Sequence, residues 1–300
     1  ARRRLAGGQP KRLETAKGGR DSRSRHRQHG GIQMTSPPAF GTHAPKGLAR
    51  ILTGLASHVP FNRGRLRVAT AHALLGLMGG TADVTFRGGR FRIHRDRSPI
   101  EYGMLLYPAY NAPELDFLLG GLKPGDVAVD LGANIGMFTI TMAACVGDSG
   151  RVIAVDPSEP FMAKLRINAA VSGLSNIVFE NVAVGGHEGN ARLNAVEGNP
   201  GTATVSEVAS GGIRMRPLVA ILADNGVTAI AAMKVDIDGF EEKALGPFFR
   251  EAADGLLPVR VVVETVLLTD ETATFVKTML DRGYVKTGQT RSNALFERRA

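Results

Sequence analysis

Short apolar runs rich in Val and Ile recur along the chain from residue 113, and all but one are followed by a stretch of helical length. The runs at 127–130, 152–156, 177–182, 233–237 and 259–264 are predicted strands. The stretches at 113–122, 135–146, 159–172, 241–249 and 271–282 are predicted helices, the first with proline in its opening turn. Strand and helix alternate, and the strands are continuously apolar rather than two-sided. That pattern predicts an α/β fold with a mostly parallel sheet covered on both faces. Two last strands, at 284–287 and 294–298, are joined by too few residues for a crossover, so they must pair antiparallel. Between 183 and 217 the chain reads as irregular, with short strand candidates near 191–193 and 202–205.

Upstream the pattern is weaker. Residues 47–59 and 68–78 carry moderate helical patterns, and 84–93 reads as a β-hairpin about Gly88-Gly89. We expect residues 47–108 to be a small N-terminal cap on the main domain at 109–300. Residues 1–46 are expected to be a tail and a Pro/Gly-rich linker.

Composition sharpens this division. Residues 1–33 carry ten Lys or Arg and two acids, whereas the other 267 residues hold 27 basic and 26 acidic side chains. The high isoelectric point therefore belongs to the tail, which has too few apolar residues to offset its ordering entropy and is expected to be disordered. A nearly neutral remainder speaks against nucleic acid as the partner of the whole domain, since that needs cations clustered on a folded face. The first methionine is Met34. One reading places the start of translation there, with 1–33 upstream of it; a peptide from 1–33 of the natural protein would end that idea. No apolar run reaches the ~18 residues of a membrane span. A single cysteine, Cys145, cannot form an intramolecular disulfide and suits a cytoplasmic location. The histidines show no metal-ligand spacing, and no metal is expected.

Three segments carry candidate chemistry. In Val129-Asp130-Leu131-Gly132-Ala133-Asn134-Ile135-Gly136 a Gly loop joins a strand to a helix. Gly132 allows a sharp turn and close approach of a ligand, a helix starting at Asn134 would aim free N–H groups at the loop, and Gly136 would allow helix to pack on strand. A dinucleotide fingerprint has glycine where Asn134 stands, to make room for a pyrophosphate. Its absence suits a ligand without phosphates, such as S-adenosylmethionine. Asp156 follows at the end of the second strand, placed to accept ribose hydroxyls; a loop or capping carboxylate is the plain alternative. In Met233-Lys234-Val235-Asp236-Ile237-Asp238-Gly239-Phe240-Glu241, the residues Lys234, Asp236 and Asp238 alternate onto one face of a strand end. Asp238 and Glu241 have capping-box spacing. Lys234 and Asp236 have no such structural task, and Asp236 is the best candidate for an active-site acid.

The segments VDLGANIGMFT, VIAVDPSEPFMAKLRINAAVSG, NVAVGGHEG and MKVDIDGFEEKAL, in this order, with a closing strand ending in ALFER, resemble the FkbM methyltransferase family over about residues 109–298. The resemblance implies a Rossmann-like class I methyltransferase fold, a three-layer α/β/α sandwich. It implies S-adenosylmethionine held by the Asp130–Gly136 loop, including Ala133, and by Asp156 with Pro157. It also implies transfer of a methyl to a hydroxyl oxygen, often on a sugar or natural product. The family usually has Glu at the place of Asp238, and residues 214–225 fit its pattern poorly. Asn181 and Ala183 could line the adenine. Glu114 could meet the cofactor's amino group, although a first-turn Glu also simply complements the helix dipole. His187 and Glu264 are weaker candidates. The competing readings are an inactive methyltransferase-like scaffold and an NAD-dependent oxidoreductase.

Overall fold

The computed structural model describes residues 37–96, 98–195, 203–237, 240–265 and 270–299. The tail expectation, the start at Met34, residue 202 of one strand candidate, and Asp238 with Gly239 lie outside the described residues.

Helices α1 (Gly47–Ala56) and α2 (Gly64–Leu77) precede the hairpin β1 (Thr81–Phe86) and β2 (Gly89–His94) and the helices α3 (Pro99–Leu106) and α4 (Ala112–Leu119). Then come β3 (Val127–Leu131), α5 (Met137–Val146), β4 (Arg151–Val155), α6 (Glu159–Ser172) and β5 (Ile177–Glu180). A run of four strands follows, β6 (Ala183–Gly185), β7 (Gly189–Ala195), β8 (Ala203–Val208) and β9 (Ile213–Pro217), and leads into α7 (Leu218–Asp224). The chain closes through β10 (Ala232–Val235), α8 (Glu241–Glu251), β11 (Arg260–Glu264), α9 (Asp270–Asp281), β12 (Tyr284–Gln289) and β13 (Asn293–Arg298).

Seven strands form the central sheet in the order β12-β13-β11-β10-β3-β4-β5. β10, β11, β3, β4 and β5 run parallel, and β13 is antiparallel to both β11 and β12. The expected three-layer fold with its terminal antiparallel pair is thus present. Alternate residues of each central strand enter opposite cores. Ala128, Ala154, Ala232 and Val262 join the core beneath α4, α5 and α6. Val129, Ile153, Met233 and Val261 join the one beneath α7, α8 and α9. Fully buried side chains such as Ile140 and Leu165 each contribute about 1.5–3 kcal/mol.

Three local readings need correction. The β1–β2 turn is centred on Arg87-Gly88, both at positive φ (48° and 83°), so Phe86 pairs with Gly89. A two-residue turn of this hand needs positive φ at both positions. Gly89 belongs to the strand through its pairing with Phe86, and a Cβ there would press on Ile140 of α5 and Phe91. Residues 183–217 are not irregular: they build a second sheet, β6-β9-β7-β8. Helix α3 was not anticipated. Ser98 caps it by accepting from the N–H of Glu101 (3.3 Å), and proline opens it, but six of its eight residues are buried, so no amphipathic period marks it. Helix α8 begins at Glu241 with Phe240 as its N-cap residue and no side-chain cap bond. The capping-box reading of Asp238 with Glu241 involves a residue outside the described ones.

The hairpin is clamped to the sheet through polar groups. Asn168 of α6 accepts from the N–H of Arg92 (2.8 Å) and donates to the carbonyl of Ile135 (2.8 Å). Among the described residues, no helix is long and apolar enough to cross a membrane.

Candidate active site

The strand order reverses between β3 and β10, and the C-terminal ends of those strands open into one cavity, where open α/β sheets bind ligands. The loop after β3 is fixed by its own backbone. Gly132 and Ala133 donate to the carbonyl of Val155 (2.9 and 3.1 Å), and Gly136 donates to Ala133 (2.9 Å). Asn134 donates to Asp156 Oδ2 (2.7 Å), while Ile135 donates to Asn134 Oδ1 (2.8 Å). Asn134 sits at φ 50°, a left-handed conformation that Asn tolerates better than most residues. The α5 helix starts at Met137, not at Asn134, so the expected free N–H groups of the loop are already engaged.

The two glycines act differently from expectation. Gly132 (φ 73°) admits the backbone carbonyl of Asp236, on which a Cβ would collide. The crowding group is therefore the loop after β10. Gly136 admits the side chain of Leu165 on α6, so it serves helix–helix rather than helix–strand contact.

A buried charge cluster lies across the switch point. Parallel register puts Lys234 beside Asp130, on the α5 face of the sheet. Lys234 donates to Asp236 Oδ2 (2.6 Å) and lies 5.4 Å from the Phe138 ring centre. Asp130 accepts from Thr139 Oγ1 (2.5 Å), and its Oδ1 has no partner among the described residues. Burial raises the Asp130 carboxyl above its usual range against the pull of Lys234. Burial opposes charge on Asp236 too, but the Lys234 ammonium and hydrogen bonds from Glu264 and Lys234 outweigh it and hold Asp236 below the usual range. Burial would lower Lys234, yet the charges of Asp236 and Asp130 keep it raised. Burial lifts Asp156 to about 6, partly offset by N–H groups of Ser158 and Asn134.

The cavity measures about 290 Å³. Of the residues singled out from sequence, Gly132, Ala133 and Asn134 line it, as do Asp156 and Pro157. So do Ala183, Lys234, Asp236 and the weaker candidate Glu264. Asp130 and Gly136 stand behind the wall. Asn181 does as well, donating to the carbonyl of Asp156 (2.8 Å). Glu114 is turned to the C-terminal hairpin, accepting from Thr290 (2.6 Å) and Asn293 (2.9 Å). His187 is exposed beside Glu207 and is not a lining residue. Sequence reasoning missed Tyr110, Asn111, Phe138, Phe161 and Asn293. Asn111 has a left-handed backbone, φ 49°, at the entrance to α4. An Asn immediately before the helix-opening Ala112-Pro113 was the one available signal.

This lining fits S-adenosylmethionine better than a dinucleotide. The loop amides that would cradle a pyrophosphate are taken. Among the described residues, the charged lining comprises three carboxylates, Asp156, Asp236 and Glu264, and one ammonium, Lys234. Acceptors of that kind suit a ligand carrying sulfonium and ammonium charge. The buried Oδ1 of Asp130, without a partner among the described residues, lies behind the same loop.

The sheet order, the switch-point cavity and its acceptor-rich lining define an S-adenosylmethionine-dependent methyltransferase of class I fold. The profile of the methyltransferase FkbM domain matches residues 130–285, and the chain belongs to that family. A 58-residue stretch is 40% identical to the 23S rRNA (uracil(1939)-C(5))-methyltransferase RlmD of Acinetobacter baylyi, and it spans 19% of this chain and 12% of that relative. Solved structures with a similar course include an S-adenosylmethionine-dependent methyltransferase of Agrobacterium tumefaciens (12% identity, 73% of this chain, 69% of that one, TM-score 0.45). Others are an O-methyltransferase of Thermotoga maritima (13%, 65% and 66%, 0.41) and fibrillarin of Aeropyrum pernix with bound S-adenosylmethionine (14%, 62% and 73%, 0.36). None of these supplies the acceptor.

Proposed function

We propose that this methyltransferase acts on a hydroxyl oxygen of a sugar, glycan or natural product, with Asp236 as the group that receives the hydroxyl proton. The observation that carries the reading is the Lys234–Asp236 pair, 2.6 Å apart, at the end of β10, with Asp236 still one-third exposed to the cavity. Asp156, with one N–H on each oxygen and lone pairs to spare, would hold the ribose hydroxyls. Phe161 and Ala183 offer an apolar wall for the adenine. Gly132, Ala133 and Asn134 would hold the amino-acid end, with Pro157 beside the adenosine. Asp130, Gly136, Asn181 and Glu114 would support those groups from behind the wall.

When bound, S-adenosylmethionine supplies an electrophilic methyl carbon with a neutral thioether as leaving group. The chain's share is alignment and exclusion of water. Lys234, buried and cationic, keeps Asp236 ionised and fixes its orientation. A depressed carboxylate is a weak base, but the hydroxyl becomes strongly acidic as its oxygen–carbon bond forms, so a weak base suffices. The oxygen gains the methyl, and its proton passes to Asp236 Oδ. A positioned base of this kind contributes on the order of 10²–10⁴-fold.

The rRNA relative acts on a pyrimidine carbon, a reaction that calls for a covalent nucleophile. Cys145, the chain's one thiol, contacts the carbonyl of Leu119 and is not a lining residue. That observation gives a carbon acceptor no support. The test is incubation of the full chain with isotope-labelled methyl donor and a panel of glycosides, hydroxylated natural products and rRNA. Labelled methyl ether on a glycoside or natural product is expected; label found only on nitrogen or carbon, or only on rRNA, would overturn the reading.

A further inference from the structure

Ten large hydrophobic side chains are exposed among the described residues, and seven of them fall between residues 48 and 77. Leu48, Ile51 and Leu55 are each more than 60% exposed and share one face of α1 at helical spacing. Val59 and Phe61 in the following turn and Leu66 in α2 continue the patch. The helix is anchored along one flank of that stripe, where Ala56 is buried and Leu52 packs on the core. The outward apolar face is therefore the docked position of α1, not an unpacked helix.

The charge around this patch has one sign. Between residues 37 and 82 the sequence holds five Lys and Arg, namely Lys46, Arg50, Arg63, Arg65 and Arg67, and no Asp or Glu. Lys46, Arg50, Arg63 and Arg65 are exposed. Apolar side chains ringed by cations match an anionic bilayer surface, where the apolar face enters the acyl boundary and the cations meet headgroups.

Other occupants match less well. A second copy would bring cations against cations across a two-fold interface. The chain's own residues 1–33 carry the same sign. Nucleic acid would satisfy the cations but leave Leu48, Ile51 and Leu55 without a role, because base recognition uses aromatic platforms.

We propose that α1 and the start of α2 form a docking surface for an anionic membrane, bound peripherally. The surface adjoins the cavity. The Arg67 guanidinium stands 5.2 Å from the ring centre of Tyr110, which lines it. Docking would therefore bring the cavity wall near the bilayer.

The test is co-sedimentation of the full chain with vesicles of phosphatidylcholine alone or mixed with phosphatidylglycerol. It compares the wild type with Leu48→Glu/Ile51→Glu/Leu55→Glu and with Arg63→Glu/Arg65→Glu. Circular dichroism melting confirms that each variant folds. We expect binding to the anionic vesicles only, weakened on the order of tenfold or more by either variant at an unchanged melting temperature. Three outcomes would overturn the proposal. One is no binding by the wild type. A second is binding unchanged in the leucine/isoleucine variant, which would assign it to residues 1–33. The third is a wild-type dimer that the same variant dissociates, which would assign the face to a second copy.

Discussion

Two buried ion pairs, one in the hairpin and one at the switch point, solve the same problem in opposite ways. Asp83 and Arg92 face each other across β1 and β2 in a two-pronged bond, 2.8 and 3.1 Å. Asp83 also accepts from the N–H groups of Gly41 and His43, and Arg92 donates to the carbonyl of Ala39. Neither side chain is more than 5% exposed. At the switch point, Lys234 is as deeply buried, but Asp236 is 34% exposed and Asp130 has an oxygen with no partner among the described residues. A buried charge pair left partly unmatched costs stability, whereas a matched one need not. The incomplete pair faces the cavity, and the complete one does not. Full satisfaction marks a structural clamp; the unfilled bonding capacity marks a place kept for a ligand.

The comparison breaks most clearly if the two pairs are cut separately. Asp236→Asn keeps shape and buried neighbours but removes the proton acceptor. Turnover should fall about 10²–10⁴-fold, while cofactor affinity, measured by calorimetry, stays within about threefold. Unchanged turnover would remove Asp236 from the mechanism.

Asp83→Ala should do the reverse. It strands the Arg92 guanidinium in a site built for a carboxylate, and removing one partner of such a pair costs about 3–5 kcal/mol. Denaturant unfolding should show that loss, with cofactor affinity of the still-folded fraction retained. If instead the variant unfolds normally but loses cofactor, the hairpin pair is part of the binding site and the contrast fails.

How much of this was legible depends on where the information sits. The parallel sheet could be read because Val127–Leu131, Arg151–Val155 and Arg260–Glu264 are short apolar runs, which a strand buried on both faces requires. The Gly loop could be read because Gly132 and Asn134 adopt backbone conformations that few residues tolerate. Helix α3 escaped because nearly every residue in it is buried, although Ser98-Pro99-Ile100-Glu101 carried a start signal. The sheet of β6, β7, β8 and β9 escaped in part because its polar strands lack a continuous apolar run. Tyr110, Asn111 and Asn293 reach the cavity through tertiary packing, which no local pattern encodes. Lys234 was visible as an odd lysine in a strand, but its pairing with Asp130 depends on register between segments a hundred residues apart.

The third acid near the cavity, Asp156, sharpens the comparison with a smaller effect. Burial puts its pKa at about 6 against an ordinary 3.8, so the folded protein holds this proton more tightly than the unfolded chain. Its contribution to stability is therefore complete below pH 3.8 and is lost as pH rises through 6. Cofactor affinity should move the other way. A carboxylate that accepts two ribose hydroxyls must be ionised, so affinity should weaken by about tenfold for each pH unit below 6. Calorimetric titration from pH 5 to 8, beside thermal melts of the free protein, reads both trends. Asp156→Asn should flatten the affinity profile and remove this residue's share of the stability slope. An affinity independent of pH in the wild type would mean that Asp156, like Asp83, only ties backbone segments together, through the N–H groups of Asn134 and Ser158 that it already accepts.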